Sequence, residues 1–420
     1  MATTITNVTE LQAINDNLAG DYILGNNIDA SATSTWNDGA GFDPIGRGTT
    51  LHSYSRPESD DFGYAGQSGS WTIYPSDGVY YDKVDEETSD DDSTYIQAVT
   101  SGSYVLLAHD ATALDIPDDA TNITVVIRAR VKNVASGTSY IQGMVNINGT
   151  EYLVGSNLAI SSQFYATKSW FMNDYPPMGF GGWTVGNVFS LAVAGVGVKV
   201  SDASPDVRIT QLYIDVAYKR KFSGKLDGAE YTISDLYINR PTEDDIGLFG
   251  YTDGATIQDV TIANCNYTAL DDAGALVGLS NNDTITNCHS SGSITGDDYI
   301  GGLIGFSNNS TISRCSSFVT VSGDDFTGGL IGWSYQCTIS QCFAKGDVTG
   351  TDDYAGGLIG VSQEDDIDDC YARGNVAADR YVGGLIAYFY GATKTIDNCY
   401  STGAVTGNSD VGGLIGYSDS

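Results

Sequence analysis

The sequence predicts an all-β protein: a parallel β-helix with an antiparallel β-sandwich or jelly-roll domain inserted near its N-terminus. Three observations predict this fold. A glycine-rich phrase recurs about every 27–28 residues in the last 200 residues, polar and apolar residues alternate between its copies, and a long segment before it lacks the period. A regular period of this length is the signature of a solenoid.

The repeated phrase is Gly-Gly-Leu-Ile-Gly or a close variant of it. Its leucine stands at positions 248, 276, 303, 330, 358, 385 and 414, so the steps are 28, 27, 27, 28, 27 and 29 residues. Nothing recurs every 3.6 residues and glycine is abundant, which excludes helices here. The seven copies predict seven coils of three short strands, each strand ending at a glycine, aspartate or asparagine corner.

Five cysteines occupy the same place in consecutive coils. They are Cys288, Cys315, Cys342, Cys370 and Cys399. No Cys-x-x-Cys spacing exists, and stacked parallel side chains are poorly aimed at one another, so neither a metal site nor a disulfide framework is favoured. The pattern predicts a ladder of buried thiols that pack as small apolar groups.

One corner of each coil is acidic. Stacked carboxylates repel one another unless they are solvated or bridged, and Ca²⁺ prefers several oxygen ligands. Asp298, Asp325 and Asp353 are therefore candidate Ca²⁺ ligands. The alternative is a solvated turn that also prevents lateral aggregation.

Aromatic residues lie just beyond the acidic corners. The candidate ligand-binding residues in this row are Tyr299, Phe326, Tyr354 and Tyr381, and a second set after the glycine phrase is Phe306, Trp333 and Tyr388. Exposed aromatic ladders stack on sugar rings, whereas buried ones only pack the corners. Both interpretations stay open at this point.

The phrase Gly-Gly-Leu-Ile-Gly, followed by Thr-Ile-x-x-Cys as at 311–315, resembles the GLUG-motif repeats of bacterial surface adhesins and related phage proteins. The resemblance covers the last 200 residues and the first 50. It implies that residues 1–50 (an N-terminal cap and first turns) and residues 220–420 (the repeat solenoid) are interrupted by an inserted domain, residues 51–219. Residues 9–18 are predicted to form a short capping helix that starts at Thr9.

The insert carries longer strands, predicted at 123–131, 140–148, 189–200 and 207–218, which favour a sandwich or jelly roll of seven or eight strands. Its opening and closing segments resemble a β-domain that recurs in tailed-phage structural proteins. An aromatic cluster in a glycine- and proline-rich stretch is a candidate ligand platform, formed by Trp170, Phe171, Tyr175, Phe180 and Trp183. The alternative is a loop pinned to the sandwich core.

Composition and motifs exclude several functions. The chain has 53 acidic and 19 basic residues and a net charge of −34, which disfavours nucleic-acid and membrane partners. Only three histidines occur, and no nucleophile elbow, Walker A or dinucleotide-binding motif is present, so no catalytic residue is predicted. Paired carboxylates on a solenoid face leave a depolymerase as an alternative.

With the resemblance, these observations predict a non-enzymatic structural or adhesive virion protein of a tailed phage: a tail fibre, spike or capsid decoration. The expected partners are other virion proteins, a host surface glycan and further copies of the chain, with a trimer favoured. No secretory signal opens the sequence, which predicts synthesis in the cytoplasm and a place on the virion surface. No cofactor other than Ca²⁺ is expected. The alternatives are a polysaccharide depolymerase tailspike and a cell-surface adhesin or filament subunit.

Overall fold

The chain is described by a computed structural model. The described residues are 1–46, 51–55, 64–68, 71–74, 95–98, 104–107, 116, 120–134, 138–147, 150–161, 164–172, 196–200, 207–391 and 394–419. Two compact units are present, one formed by residues 1–49 with 220–420 and the other by residues 50–219. No helix in the described part of the chain is long and apolar enough to cross a membrane.

The first unit is a parallel β-solenoid of about seven coils, as predicted. Its first sheet has nine strands, Thr3–Ile5, Asp21–Leu24, Lys225–Asp227, Thr256–Gln258, Thr284–Thr286, Thr311–Ser313, Thr338–Ser340, Asp366–Asp368 and Ile396–Asp397. The third sheet has seven, Phe249–Asp253, Val277–Asn281, Ile304–Asn308, Ile331–Tyr335, Ile359–Gln363, Ile386–Tyr390 and Ile415–Asp419. Equivalent residues of successive coils pair in register, such as Thr284 with Thr311.

A second sheet runs along the solenoid, and a short fourth sheet is added in its last four coils. The second sheet has twelve strands, Ile28–Asp29, Thr232–Ser234, Tyr237–Asn239, Thr261–Thr268, His289–Thr295, Ser316–Gly323, Phe343–Ala344, Val348–Gly350, Tyr371–Ala372, Val376–Ala377, Tyr400–Ser401 and Val405–Thr406. A short fourth sheet, absent from the three-strand prediction, contains Thr327–Gly328, Asp353–Gly356, Arg380–Gly383 and Ser409–Gly412. It forms at the acidic corner, where the turn runs alongside the same turn of the next coil.

The glycine phrase is explained by close approach of backbones. A Cβ on Gly328, the first glycine of its copy, would overlap the carbonyl oxygen of Ile331 three residues later. A Cβ on Gly329 would overlap the carbonyl oxygen of Gly357 in the next coil. The leucine and isoleucine that follow, Leu330 and Ile331, are fully buried. The phrase therefore recurs because each coil folds tightly at this point while resting on its neighbour.

The N-terminal segment belongs to the same solenoid. Asp21–Leu24 pairs in parallel with Thr3–Ile5 on one side and with Lys225–Asp227 on the other. The two segments therefore lie side by side in the first sheet, although some 200 residues separate the two strands in sequence.

A short helix covers this end, but not as predicted. An α-helix spans Val8–Gln12 and 3-10 turns span Ala13–Asp16, Ser31–Thr35 and Asn37–Gly39. The predicted cap at Thr9 is wrong: the Asn7 side chain accepts a hydrogen bond from the Glu10 N–H at 3.0 Å. Asparagine is the stronger capping residue because its short carbonyl reaches the third backbone N–H. The apolar residues of the segment, Leu11, Ile14 and Leu18, are buried against the coils.

The second unit contains two antiparallel sheets. One has the strands Thr150–Ile160, Ser139–Ile147, Val196–Val200, Tyr104–Leu107 and Tyr64–Ser68. The other has Ala166–Phe171, Thr121–Asn133, Val207–Lys219, Tyr95–Ala98, Trp71–Tyr74 and Leu51–Ser55. Val125 and Ile127 of one sheet share a core with Val196 and Val198 of the other. The described strands number eleven, more than the seven or eight predicted, because several are only four or five residues long.

The cysteines stack as predicted. All seven are free, and of the five in the ladder only Cys399, in the last described coil, is not buried. The Cys342 sulfur lies 3.4 Å from the backbone nitrogen of Cys315 in the coil before it. Burial raises the pKa of the Cys315 thiol well above its usual value. Four of the five ladder cysteines are therefore buried packing residues.

Candidate functional site

The corner aromatics form a continuous stack, here called the corner row. It contains Tyr299, Phe326, Tyr354 and Tyr381. The ring centroids of successive members are 4.9, 5.0 and 4.7 Å apart, and their planes differ by 16°, 19° and 15°. The rings are half-buried, so each keeps part of its surface open to solvent. Spacing near 4.8 Å is the spacing of the coils themselves, which brings every ring over the next.

These four residues adopt an unusual backbone conformation. Their φ angles lie between 53° and 59°, in the left-handed region. The same corner position in the other coils is occupied by Asp245, Asp272 and Asp410, at φ 57°, 51° and 53°. Aspartate tolerates this region because its side chain bonds locally, whereas a bulky ring is disfavoured there by about 1–2 kcal/mol. Four successive coils therefore carry an aromatic residue at a corner position where aspartate fits the backbone conformation better.

A second row of rings, the sheet row, lies beside the first on the outer face of the third sheet. Phe306 and Trp333 are 6.3 Å apart, and further along Tyr388 and Tyr417 are 5.4 Å apart. The two rows contact each other, since Phe326 lies 5.0 Å from Trp333. Together the two rows form an aromatic surface, two rings wide, along the solenoid.

Non-aromatic residues interrupt the line of the sheet row in two coils: Leu279 lies between Tyr251 and Phe306, and Val361 lies further along. Val361 pairs in register with Trp333 on one side and Tyr388 on the other. The next outward position in the same coil is Gln363, between Tyr335 and Tyr390. A groove of about 340 Å³ opens over these two residues, and we call it the slot. It is lined by Phe326, Trp333, Tyr354, Val361, Gln363, Tyr388 and Tyr390.

The corner aspartates bond to the backbone of neighbouring coils. The carboxylate of Asp298 accepts a hydrogen bond from the Asp325 N–H at 3.2 Å, and that of Asp325 accepts one from the Asp353 N–H at 2.7 Å. Burial, and with it the charges of adjacent aspartates, raises the pKa of Asp298 and Asp325. Asp353 forms an ion pair with Arg380.

Within the described residues, no group of three or more His, Cys, Asp or Glu side chains is arranged to hold a metal ion. The candidate Ca²⁺ ligands therefore do not converge: each lies in its own coil, where two of the three carboxylates accept a backbone N–H and the third pairs with an arginine. Calcium binding stays a prediction.

The candidate platform of the insert is only partly described. Trp170 is 2% exposed and packs in the sandwich core, where its indole N–H donates to the Ser156 carbonyl at 3.1 Å. Its predicted role as an open ligand contact is therefore wrong, because the ring has no free face. Phe171, the next residue on the strand, points outward and is exposed. Tyr175, Phe180 and Trp183 lie outside the described residues.

A second aromatic surface was missed in the sequence. On the outer face of the second sheet Phe343, Tyr371 and Tyr400 stack 4.8 and 5.0 Å apart. Lys345 lies 4.7 Å from the Phe343 ring centroid, and the Arg373 guanidinium lies 4.9 Å from that of Tyr371. A signal for these rings exists, since each aromatic residue follows a ladder cysteine directly.

Two buried carboxyl groups were also missed. The carboxylate of Asp283 accepts hydrogen bonds from the Ser280 hydroxyl and the Ala255 N–H, both at 2.7 Å. Asp365 accepts them from the Ser362 hydroxyl and the Cys337 N–H, also at 2.7 Å. Burial raises the pKa of each to about 6. These aspartates tie one coil to the next at the corner between the third and first sheets.

Comparisons with known proteins give little more. No family model matches the chain. Halomucin from Haloquadratum walsbyi is 41% identical over 80 residues, which is 19% of this chain but 1% of Halomucin. The CBM22-1 xylan-binding domain of Xyn10C from Paenibacillus barcinonensis aligns with 40% of this chain and 96% of its own, at 15% identity and a TM-score of 0.23. That score is too low to bear on fold or function.

Proposed function

We propose that this chain is a non-enzymatic structural and adhesive protein whose solenoid binds glycans through the corner and sheet rows. The carrying observation is the run of four stacked aromatics in the left-handed region, at a corner position that holds aspartate in three other coils. Stacking between rings offsets part of the backbone cost, at about 0.5–1.5 kcal/mol a pair. The half-buried rings leave a repeating apolar strip open to solvent, against which the apolar C–H faces of sugar rings can pack.

The finer version of the proposal places the protein on a tailed-phage virion, as a fibre, spike or capsid decoration. Its support is the resemblance of the glycine phrase and of the insert to phage proteins. Electron microscopy of phage particles with an antibody against residues 220–420 tests it, and labelling of the bacterial surface alone would favour the adhesin alternative.

A glycan array tests the binding proposal. In the double variant Phe326→Asn/Tyr354→Asn two rings of the corner row are replaced by a residue type that tolerates the left-handed region. We expect this variant to keep the wild-type melting temperature within a few degrees and to lose array binding by at least tenfold.

The matched control is Tyr371→Ser, which removes one ring from the aromatic stack on the outer face of the second sheet. Serine fits this position, because Ser316 occupies the equivalent position two coils earlier. It should bind as the wild type does. Equal binding by all three proteins would contradict the proposal, and so would release of reducing sugar from the bound glycan on prolonged incubation.

A further inference from the structure

We infer that the slot over Val361 is a binding site for a single neutral pyranose ring, held between Trp333 and Tyr388. This inference rests on the proposed glycan-binding function and assigns to it one subsite and one class of sugar. The described rings of the corner row stack on one another. In the sheet row Val361 stands between Trp333 and Tyr388, and a groove opens above it.

The width of the slot fits one sugar ring. Trp333 and Tyr388 lie on strands two coils apart, about 9.6 Å at a strand spacing of ~4.8 Å. A sugar ring between Trp333 and Tyr388 makes one carbon–carbon contact of ~3.5–4.0 Å with each aromatic ring, and the two contacts together take up about 7–8 Å of this spacing. The rest of the spacing accommodates the pucker of a pyranose chair. A planar aromatic ligand would leave that remainder empty.

The walls and floor of the slot are apolar on three sides. Tyr354 of the corner row closes the side nearest the acidic turn, with its centroid 5.7 Å from that of Tyr388. Val361 forms the floor and is 4% exposed. Tyr390, on the rim, is 42% exposed. A ring with apolar faces and polar edges matches this arrangement.

The polar chemistry of the slot favours a neutral ligand. No Lys, Arg, Asp or Glu is among its lining residues. The Gln363 side chain lines the slot, where its amide can donate to one sugar hydroxyl and accept from another. The chain carries a net charge of −34, which repels uronates and sulfated sugars.

The test is to fill the slot without removing any aromatic residue. Val361→Tyr supplies the missing ring at a position that holds Trp333 and Tyr388 in the adjacent coils. Titration calorimetry of the full chain uses neutral hexaoses of glucose, xylose, mannose and galactose as probes, with hexauronates as the charged counterparts. We expect at least one neutral hexaose to bind the wild type and to bind Val361→Tyr at least tenfold more weakly, while the melting temperature stays the same or rises.

Leu279→Tyr is the matched control. It places a ring at the equivalent interruption between Tyr251 and Phe306 and leaves the slot open, so it should bind as the wild type does. Gln363→Leu should weaken binding about three- to tenfold through the lost hydrogen bonds alone. Both variants keep every ring of the two rows.

The outcomes separate the inference from the function on which it rests. If Val361→Tyr binds as well as or better than the wild type, sugars bind along the rows and the slot assignment is overturned, while the proposed function stands. Preference for hexauronates would overturn the neutral class. If the protein binds no hexaose and no glycan on the array, both the slot assignment and the proposed glycan-binding function are wrong. A dimer in light scattering that Val361→Tyr dissociates would assign the slot to a second copy instead.

Discussion

At the scale of single residues, Asp283 and Asp365 show how a solenoid buries a charge. Each carboxylate is held by two side-chain hydroxyls and by a backbone N–H of the preceding coil. Hydrogen bonds stabilise the charged form, but burial outweighs them and raises the pKa of each group to about 6. The folded protein therefore binds protons at pH values where the unfolded chain, with ordinary carboxyl groups near 3.9, does not.

This difference sets the direction of the pH dependence. The free energy of unfolding falls with rising pH wherever the folded state holds more protons. The contribution of the two groups is fully present below about pH 4 and is lost as pH rises through about 6. We expect the melting temperature to be higher at pH 5 than at pH 7.5.

Calorimetry of the Asp283→Asn/Asp365→Asn variant checks the assignment. Its melting temperature should be lower at both pH values, since the amide cannot accept from every donor, and should change less between them. Asp410→Asn, at an exposed corner, is the control and should keep the wild-type slope. An unchanged slope in the double variant would place the pH dependence elsewhere.

At the scale of the element, the glycine phrase is the part of each coil that tolerates least change. The three glycines of a copy lie against the backbone of their own coil or of the adjacent ones. Substitution at Gly329 forces two backbones apart, because the nearest atom is a carbonyl oxygen and not a side-chain tip. Overpacking of this kind costs about 1–3 kcal/mol, and more where backbone must move.

Gly413 provides a matched comparison. It is the second glycine of the last copy, as Gly329 is of an earlier one, but no atom lies within 4 Å of a Cβ placed on it. We expect Gly329→Ala to lower the free energy of unfolding by at least about 3 kcal/mol and Gly413→Ala to change it by less than about 1 kcal/mol. Denaturant unfolding measures both. Equal losses would show that the phrase acts through chain flexibility and not through close contact.

The elements also show where sequence reasoning succeeds. The period of the leucines predicts the number of coils, and the positions of the cysteines predict the register of the ladder. Once one residue of each coil is aligned with its equivalent in the next coil, the positions of the other residues in that coil follow. The corner and sheet rows follow from the same spacing. The slot could also have been predicted from the sequence, because Val361 occupies a position that is aromatic in both adjacent coils.

Other features depend on three-dimensional register. From the sequence alone Asp283 is expected at the surface. Its burial depends on the fold, which places Ser280 and Ala255 next to it. The fourth sheet arises from pairing between turns, which no local pattern marks. Trp170 stands beside a glycine-rich stretch, yet strand alternation places it inside and Phe171 outside.

At the scale of the whole molecule, one solenoid is built from two separate segments of the chain. At the point of interruption, the N–H of Tyr251 donates to the Gly46 carbonyl, and the N–H of Phe222 donates to that of Tyr251. Both ends of the break are therefore fixed by the same strand of the third sheet. Insertions are tolerated where the two ends already lie together.

We expect the solenoid, and not residues 50–219, to carry glycan binding. Deletion of 50–219 joins Thr49 to Arg220 and leaves residues 47–49 as the connection between ends that are already adjacent. We predict that the shortened chain unfolds cooperatively and binds the same array glycans as the full chain, with a dissociation constant within about threefold. A truncated protein that folds, by circular dichroism and melting, but has lost all glycan binding would contradict it.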